Sequence, residues 1–84
     1  MLSWQAKAWE DYLYWQKQDK KTLKRINTLL TDIVRDPHGG IGKAEPLRAE
    51  LAGCWSRRID ETNRIVYTVV DGSIIVLGCR GHYD

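Results

Sequence analysis

Asn63-Arg64-Ile65-Val66-Tyr67-Thr68-Val69-Val70-Asp71-Gly72-Ser73-Ile74-Ile75-Val76-Leu77-Gly78-Cys79 is the stretch that decides the fold. β-Branched and aromatic residues fill both halves, and such side chains suit a pleated, half-buried surface. Between them sits Asp71-Gly72, a dipeptide suited to a two-residue hairpin turn whose central residues both need positive φ. The reading is a strand over 63–70, a tight turn and a strand over 73–79. Upstream, Trp55-Ser56-Arg57-Arg58-Ile59-Asp60 alternates imperfectly and reads as a third strand, joined to the hairpin by a turn over 60–63. Short connections between consecutive strands predict an antiparallel meander.

Further upstream the period changes from strand-like to helical. Leu23, Ile26, Leu30 and Ile33 recur at steps of three and four, with Lys20, Lys21, Lys24 and Arg25 mostly off that stripe. Asp19 stands where an N-cap belongs, and Asp36-Pro37 ends the pattern because proline cannot continue the hydrogen-bond ladder. Before it, Ala8, Trp9, Tyr12, Leu13 and Trp15 or Gln16 mark an earlier amphipathic helix. Residues 37–46, punctuated by Pro37, Gly39, Gly40, Gly42 and Pro46, read as a loop, and Met1–Trp4 as an edge strand. The predicted class is α+β: two N-terminal helices packed on one face of a small twisted antiparallel sheet.

The chain has 84 residues, 43% apolar and 29% charged, with four Trp, four Tyr and no Phe. That length bounds it to a single domain, residues 1–84. The net charge of +2 excludes a polybasic or acidic tail, but leaves room for a local cationic patch. The longest apolar run, Ile74–Leu77, is far short of a membrane span, and with no signal-peptide pattern the expected compartment is cytoplasmic. Cys54 and Cys79 are too few for a disulfide scaffold, and with His38 and His82 they show no paired metal-ligand spacing. Gly39-Gly40-Ile41-Gly42-Lys43 resembles a phosphate loop only superficially, since Pro37 and Ala44 occupy places where a P-loop needs Gly and Ser or Thr. No metal and no cofactor is expected.

Polar residues near the strand ends carry the chemistry. Glu45 closes the glycine-rich loop. Arg57 and Arg58 point to opposite faces of one strand, the turn over 60–63 sets Arg64 across from Arg58, and Arg80, His82 and Tyr83 follow the last strand. Such a set meets the needs of metal-free RNA cleavage. A base takes the 2′-hydroxyl proton, an acid protonates the departing 5′-oxygen, and arginines hold the phosphate oxygens. Glu45 fits the base and His82 the acid, with an exchange of the two roles left open, Arg58 and Arg64 fit the phosphate clamp, and Tyr83 a group that stacks on or orients the flanking nucleotide. The same residues admit a plainer reading. Glu45 is then an ion-pair partner of Lys43 or Arg48, Arg58 and Arg64 are partners of Asp60 or Glu61, and Lys43, Arg48 and Arg57 are solubilising charges.

Trp9-Glu10-Asp11-Tyr12-Leu13-Tyr14-Trp15, Lys43-Ala44-Glu45-Pro46-Leu47, Leu51-Ala52-Gly53, Trp55-Ser56-Arg57-Arg58-Ile59, Arg64-Ile65-Val66-Tyr67 and His82-Tyr83 together resemble the YoeB/Txe family of bacterial toxins, within the RelE-like superfamily. The resemblance spans essentially the whole chain. It implies a RelE/microbial-RNase-like fold and a ribosome-dependent mRNA interferase cutting at the decoding site. It also implies Glu45 as base, His82 as acid, phosphate-binding Arg58 and Arg64, and the terminal Tyr83 in the site, with Lys43, Arg48, Arg57 and Arg80 as RNA or ribosome contacts. The expected partners are the bacterial ribosome and mRNA, a YefM/Phd-like antitoxin whose disordered tail wraps the toxin, and a second copy in a homodimer. Ala44, Cys54, Asn63, Gly81 and Asp84 depart from the family's usual residues. The alternative from another class is a non-catalytic protein that blocks translation by occupying the ribosome or RNA. A DNA-gyrase toxin of the same superfamily is a further rival, but such proteins lack the Glu/His/Tyr set.

Overall fold

Asp71 and Gly72 adopt φ of 49° and 80°, so both central residues take the left-handed conformation that matches a hairpin turn to the twist of its strands. The computed structural model describes residues 1–82. Its elements in chain order are β1 (Leu2–Trp4), α1 (Ala6–Gln18), α2 (Lys20–Arg35), β2 (Glu45–Pro46), a 3-10 turn (Ala49–Leu51), β3 (Cys54–Arg58), β4 (Arg64–Val70) and β5 (Ser73–Gly78). The strands form one sheet in the order β1-β5-β4-β3-β2. The expected meander of β3, β4 and β5 is present, and both helices are where the periodicity places them.

Two corrections concern the sheet. It is mixed rather than antiparallel throughout, because β1 runs parallel to β5, with Leu2, Ser3 and Trp4 opposite Ile74, Ile75 and Val76. Parallel strands need a long crossover rather than a tight turn, and both helices and three strands lie between β1 and β5. Glu45–Pro46, expected as loop, adds a short fifth strand antiparallel to β3.

The Asp19 side chain caps α2 as expected, accepting from the Lys21 and Thr22 amides at 3.1 and 3.2 Å. Helix α2 buries Ile26, Leu29, Leu30 and Ile33 against the sheet. Helix α1 is rotated from the expected stripe. Ala8, Asp11 and Trp15 face inward, while Trp9 is 46% and Leu13 39% exposed. The reason is polar: the Asp11 carboxylate accepts from the Cys79 amide at 3.0 Å, and the Trp15 indole N–H donates to the Cys79 carbonyl at 2.9 Å. These bonds satisfy both backbone groups of a residue just beyond β5, where no strand partner serves them. A bulge lies immediately upstream, since Val66 pairs with Gly78 but Tyr67 with Val76, leaving Leu77 extra. Trp9 instead stacks on Tyr12, with ring centroids 5.8 Å apart. No helix among the described residues is long and apolar enough to cross a membrane.

Candidate active site

Strand pairing gives the sheet two chemically different faces. Side chains alternate along β3, so Arg57 turns toward the helices while Ser56 and Arg58 turn away. Ser56 is paired with Val66 on one side and with Glu45 on the other, and Arg58 is opposite Arg64. Directly opposed residues share a face, and strands lie ~4.8 Å apart with ~6.7 Å between alternate residues. Glu45, Ser56, Arg58 and Arg64 therefore stand on adjacent rungs of one surface. That surface floors a cleft of about 600 Å³, also lined by Lys43, Pro46, Leu47, Arg48 and His82. Four cationic residues surround one carboxylate and one imidazole.

Each wall has its own mount. Lys43 adopts φ 55°, and its ammonium lies 3.2 Å from Glu45 Oε1. The ion pair named by the plainer reading thus exists within the cleft. The Arg58 amide donates to the Gly42 carbonyl at 2.7 Å, binding the glycine loop to the β3 edge. Arg25 Nη2 donates to the Arg58 carbonyl at 3.1 Å. Arg64 Nη1 donates to the carbonyls of Asp60, at 2.7 Å, and Asn63, at 3.1 Å. The Arg64 amide donates to the Gly81 carbonyl at 2.9 Å, which carries the chain after β5 back past β4 and leaves His82 at the cleft. Burial opposes the ionised form of Asp60, but hydrogen bonds from Asn63 and Thr62 and the nearby Arg64 charge outweigh it and lower its pKa.

Of the nine residues singled out from sequence, Glu45, Arg58, Arg64, His82, Lys43 and Arg48 meet at this cleft. Tyr83 lies outside the described residues, as does Asp84. Arg80 does not line the cleft; its guanidinium lies 3.6 Å from the centroid of the Tyr14 ring, on α1.

Arg57 requires a correction. It is 0% exposed, so it is unavailable as an RNA or ribosome contact. Its Nη1 donates to Asp32 Oδ2 at 2.6 Å and to the Ile41 carbonyl at 2.7 Å, Nη2 to the Asp36 carbonyl at 2.6 Å, and Nε to the Tyr67 hydroxyl at 3.1 Å. Tyr67 in turn donates to the Pro37 carbonyl at 2.6 Å, and the Ile41 amide to Asp32 Oδ2 at 3.0 Å. Hydrogen bonds from Arg57 and Arg35 hold the Asp32 carboxyl down to about 2. This internal arginine latches the loop that leads to Lys43 and Glu45. Alternation assigned opposite faces to the two arginines, but only the packing decides which one enters the core.

The family described as "YoeB-like toxin of bacterial type II toxin-antitoxin system" matches residues 4–83. The chain belongs to that family. It is similar to the toxin YoeB of Synechocystis, with 55% identity over 92% of this chain and 90% of the relative. Among solved structures, a YoeB/ParE toxin from Agrobacterium tumefaciens superposes with a TM-score of 0.94 and 43% identity, covering 98% of each chain. A YoeB-YefM complex from Staphylococcus aureus gives 0.91 and 44%, covering 99% of this chain and 97% of that one. The YoeB dimer from the same species gives 0.89 and 46%, covering 98% and 95%. The chain is thus a toxin of a bacterial toxin–antitoxin system, and the two helices on a twisted sheet are the architecture of that family.

Ser56, Pro46 and Leu47 as cleft residues, and Asp32 and Asn63 as supports, were not legible in the sequence, whereas Asp60 was expected as an arginine partner and does accept from Arg64 through its carbonyl. None of the missed residues is of a type that advertises such a role. The strand register that places them exists only in the fold.

Proposed function

We propose that this toxin is a ribosome-dependent mRNA endoribonuclease. The observation that supports it most is the gathering of Glu45, Arg58, Arg64 and His82 on one cleft from four separate chain segments. Phosphodiester cleavage by the neighbouring ribose hydroxyl needs a base, an acid and fixed cations, and the nucleophile comes from the substrate. Glu45 takes the 2′-hydroxyl proton as the 2′-oxygen bonds to phosphorus. The bond from phosphorus to the 5′-oxygen breaks, and protonated His82 gives that oxygen its proton. Arg58 and Arg64 face the equatorial oxygens, where negative charge builds. Tyr83 stacks on the flanking base, and Lys43 and Arg48 hold the backbone on either side. The products are a 2′,3′-cyclic phosphate and a 5′-hydroxyl.

The ribosomal decoding site supplies the second half of the geometry by presenting the strand in the reactive conformation. A YefM/Phd-like antitoxin is the partner expected by analogy with the Staphylococcus aureus YoeB-YefM complex, and it neutralises the toxin by covering this cationic cleft, whose charge suits a flexible inhibitor that folds as it binds. A second copy of the chain is the other expected partner, following the YoeB dimer of that species.

End-group analysis of mRNA cut in a translating extract tests the proposal. Cyclic or 3′-phosphate ends are expected, and Glu45→Gln or His82→Gln should each slow cleavage on the order of 10²–10⁴-fold. Fragments ending in 3′-hydroxyls would refute attack by the ribose. Stalled ribosomes carrying intact transcripts would replace cleavage with occupancy.

A further inference from the structure

The turn between β3 and β4 does more than reverse the chain. Asp60 Oδ1 accepts from the Thr62 amide at 2.8 Å and the Asn63 amide at 2.6 Å, which is sufficient to close the turn. The Asn63 side chain adds something the turn itself does not need. Its Nδ2 donates to both Asp60 carboxylate oxygens, at 3.2 and 3.1 Å. With the NH2 group held by the acid, the amide oxygen must face the other way, and there it accepts from the Gly81 amide at 2.9 Å. The Gly81 carbonyl accepts from the Arg64 amide, so consecutive residues 63 and 64 grip both backbone groups of residue 81. Gly81 has φ 110°, a conformation that L side chains rarely adopt. His82 is the next residue, ~3.8 Å along the chain. The carbonyls of the same turn hold the Arg64 guanidinium.

We propose that Asn63, oriented by Asp60, is a positioning residue that sets His82 and Arg64 in register with one another. The inference rests on the endoribonuclease reading given above. Its physical content is that the proton donor and one arm of the phosphate clamp share a single support. Replacing that support lets the imidazole drift relative to the guanidinium, and a displacement of about 1 Å costs on the order of 10²-fold in rate. Substrate capture depends on cations spread over the whole cleft and should change little.

The test uses purified toxin with mRNA-programmed ribosomes under single-turnover conditions. Asn63→Ala should lower the maximal cleavage rate on the order of 10- to 100-fold, with the half-saturating ribosome concentration shifted less than about threefold. Asn63→Asp should be comparably slow, because it sets a second carboxylate against Asp60. The exchange Asp60→Asn with Asn63→Asp restores a donor facing an acceptor at unchanged net charge, and should return the rate to within about threefold of wild type. Stability measured on the same samples separates loss of folded protein from loss of register, and the exchange pair decides the matter if Asn63→Ala folds poorly. The His82 ring resonances in the NMR spectrum, assigned against His38, should move in Asn63→Ala and return in the exchange pair. Wild-type rates in Asn63→Ala, or an exchange pair as slow as Asn63→Asp, would overturn the proposal. Should wild-type protein fail to cut, the endoribonuclease reading falls, and unmoved His82 resonances in Asn63→Ala would then overturn the positioning role separately.

Discussion

Replacing Arg57 with methionine tests the internal latch most directly. Methionine matches the length of the arginine stem and removes all of its donors. Each hydrogen bond to a charged group contributes about 1.5–3 kcal/mol. Two of the four lost bonds end on the Asp36 and Ile41 carbonyls. That loop borders solvent, so the lower end of the range applies, giving about 3 kcal/mol for the pair. The bond to Tyr67 is a smaller loss, because that hydroxyl keeps its own acceptor at the Pro37 carbonyl. Asp32 retains Arg35 and the Ile41 amide as donors. A domain of this size has about 4–13 kcal/mol of total stability, so the change consumes a large share. The corresponding drop in Tm is about 12–24 °C, at roughly 4–8 °C per kcal/mol. Urea unfolding followed by tryptophan fluorescence reads the difference. Arg57→Lys, with three donors on one nitrogen instead of a planar fork, should fall between the two. Buried ion pairs can be replaced by apolar residues without loss. An Arg57→Met protein as stable as wild type, or more so, would therefore refute the claim that this arginine stabilises the loop.

Acid should loosen the same latch. The folded pKa of Asp32 is depressed to about 2 from 3.8, so its contribution is complete above the unfolded value and disappears as pH falls toward 2. The urea midpoint should decline between pH 5 and pH 2, as estimated from carboxylate linkage, with a smaller decline in Asp32→Asn. Equal slopes would remove Asp32 from the account. The two thiols should react unequally. Burial, followed by the Asp11 charge, pushes Cys79 up to about 12. Alkylation of native toxin at about pH 8 should therefore mark half-buried Cys54 and spare Cys79 until the protein unfolds, as mass spectrometry of the digested product would read. Early modification of Cys79 would contradict its packing beneath α1.

Much of the site was visible before the fold because its residue types are chemically uncommon together. Strand spacing set only Arg58 across from Arg64; Glu45 in its loop and His82 beyond the last strand were candidates by the chemistry of phosphate transfer, with a plainer reading beside it, and the structure sets all four along one cleft. The roles of Arg57 and Asn63, and that of Asp60 in orienting Asn63, were not visible. Arg57 carries the same local signals as Arg58, and an internal guanidinium is recognised only when Asp32 and two loop carbonyls are found around it. Asp60 and Asn63 resemble ordinary turn residues, and the Asn63–Gly81 bond spans 18 positions in sequence.

Local chemistry in the chain by itself determined the hairpin at Asp71-Gly72, the Asp19 cap and apolar stripe of α2, and the helix stop at Pro37, since each depends on neighbours within a few residues. Tertiary structure alone decided which β3 arginine enters the core, how α1 is rotated, which way β1 runs and that Glu45 joins the sheet edge. The first two outcomes depend on which buried donors and acceptors find partners, and the last two on backbone pairing with strands distant in the chain. Asp11 turns inward because the Cys79 amide needs an acceptor there, and Arg57 because Asp32 and the loop carbonyls await a donor. No hydrophobic period encodes that demand.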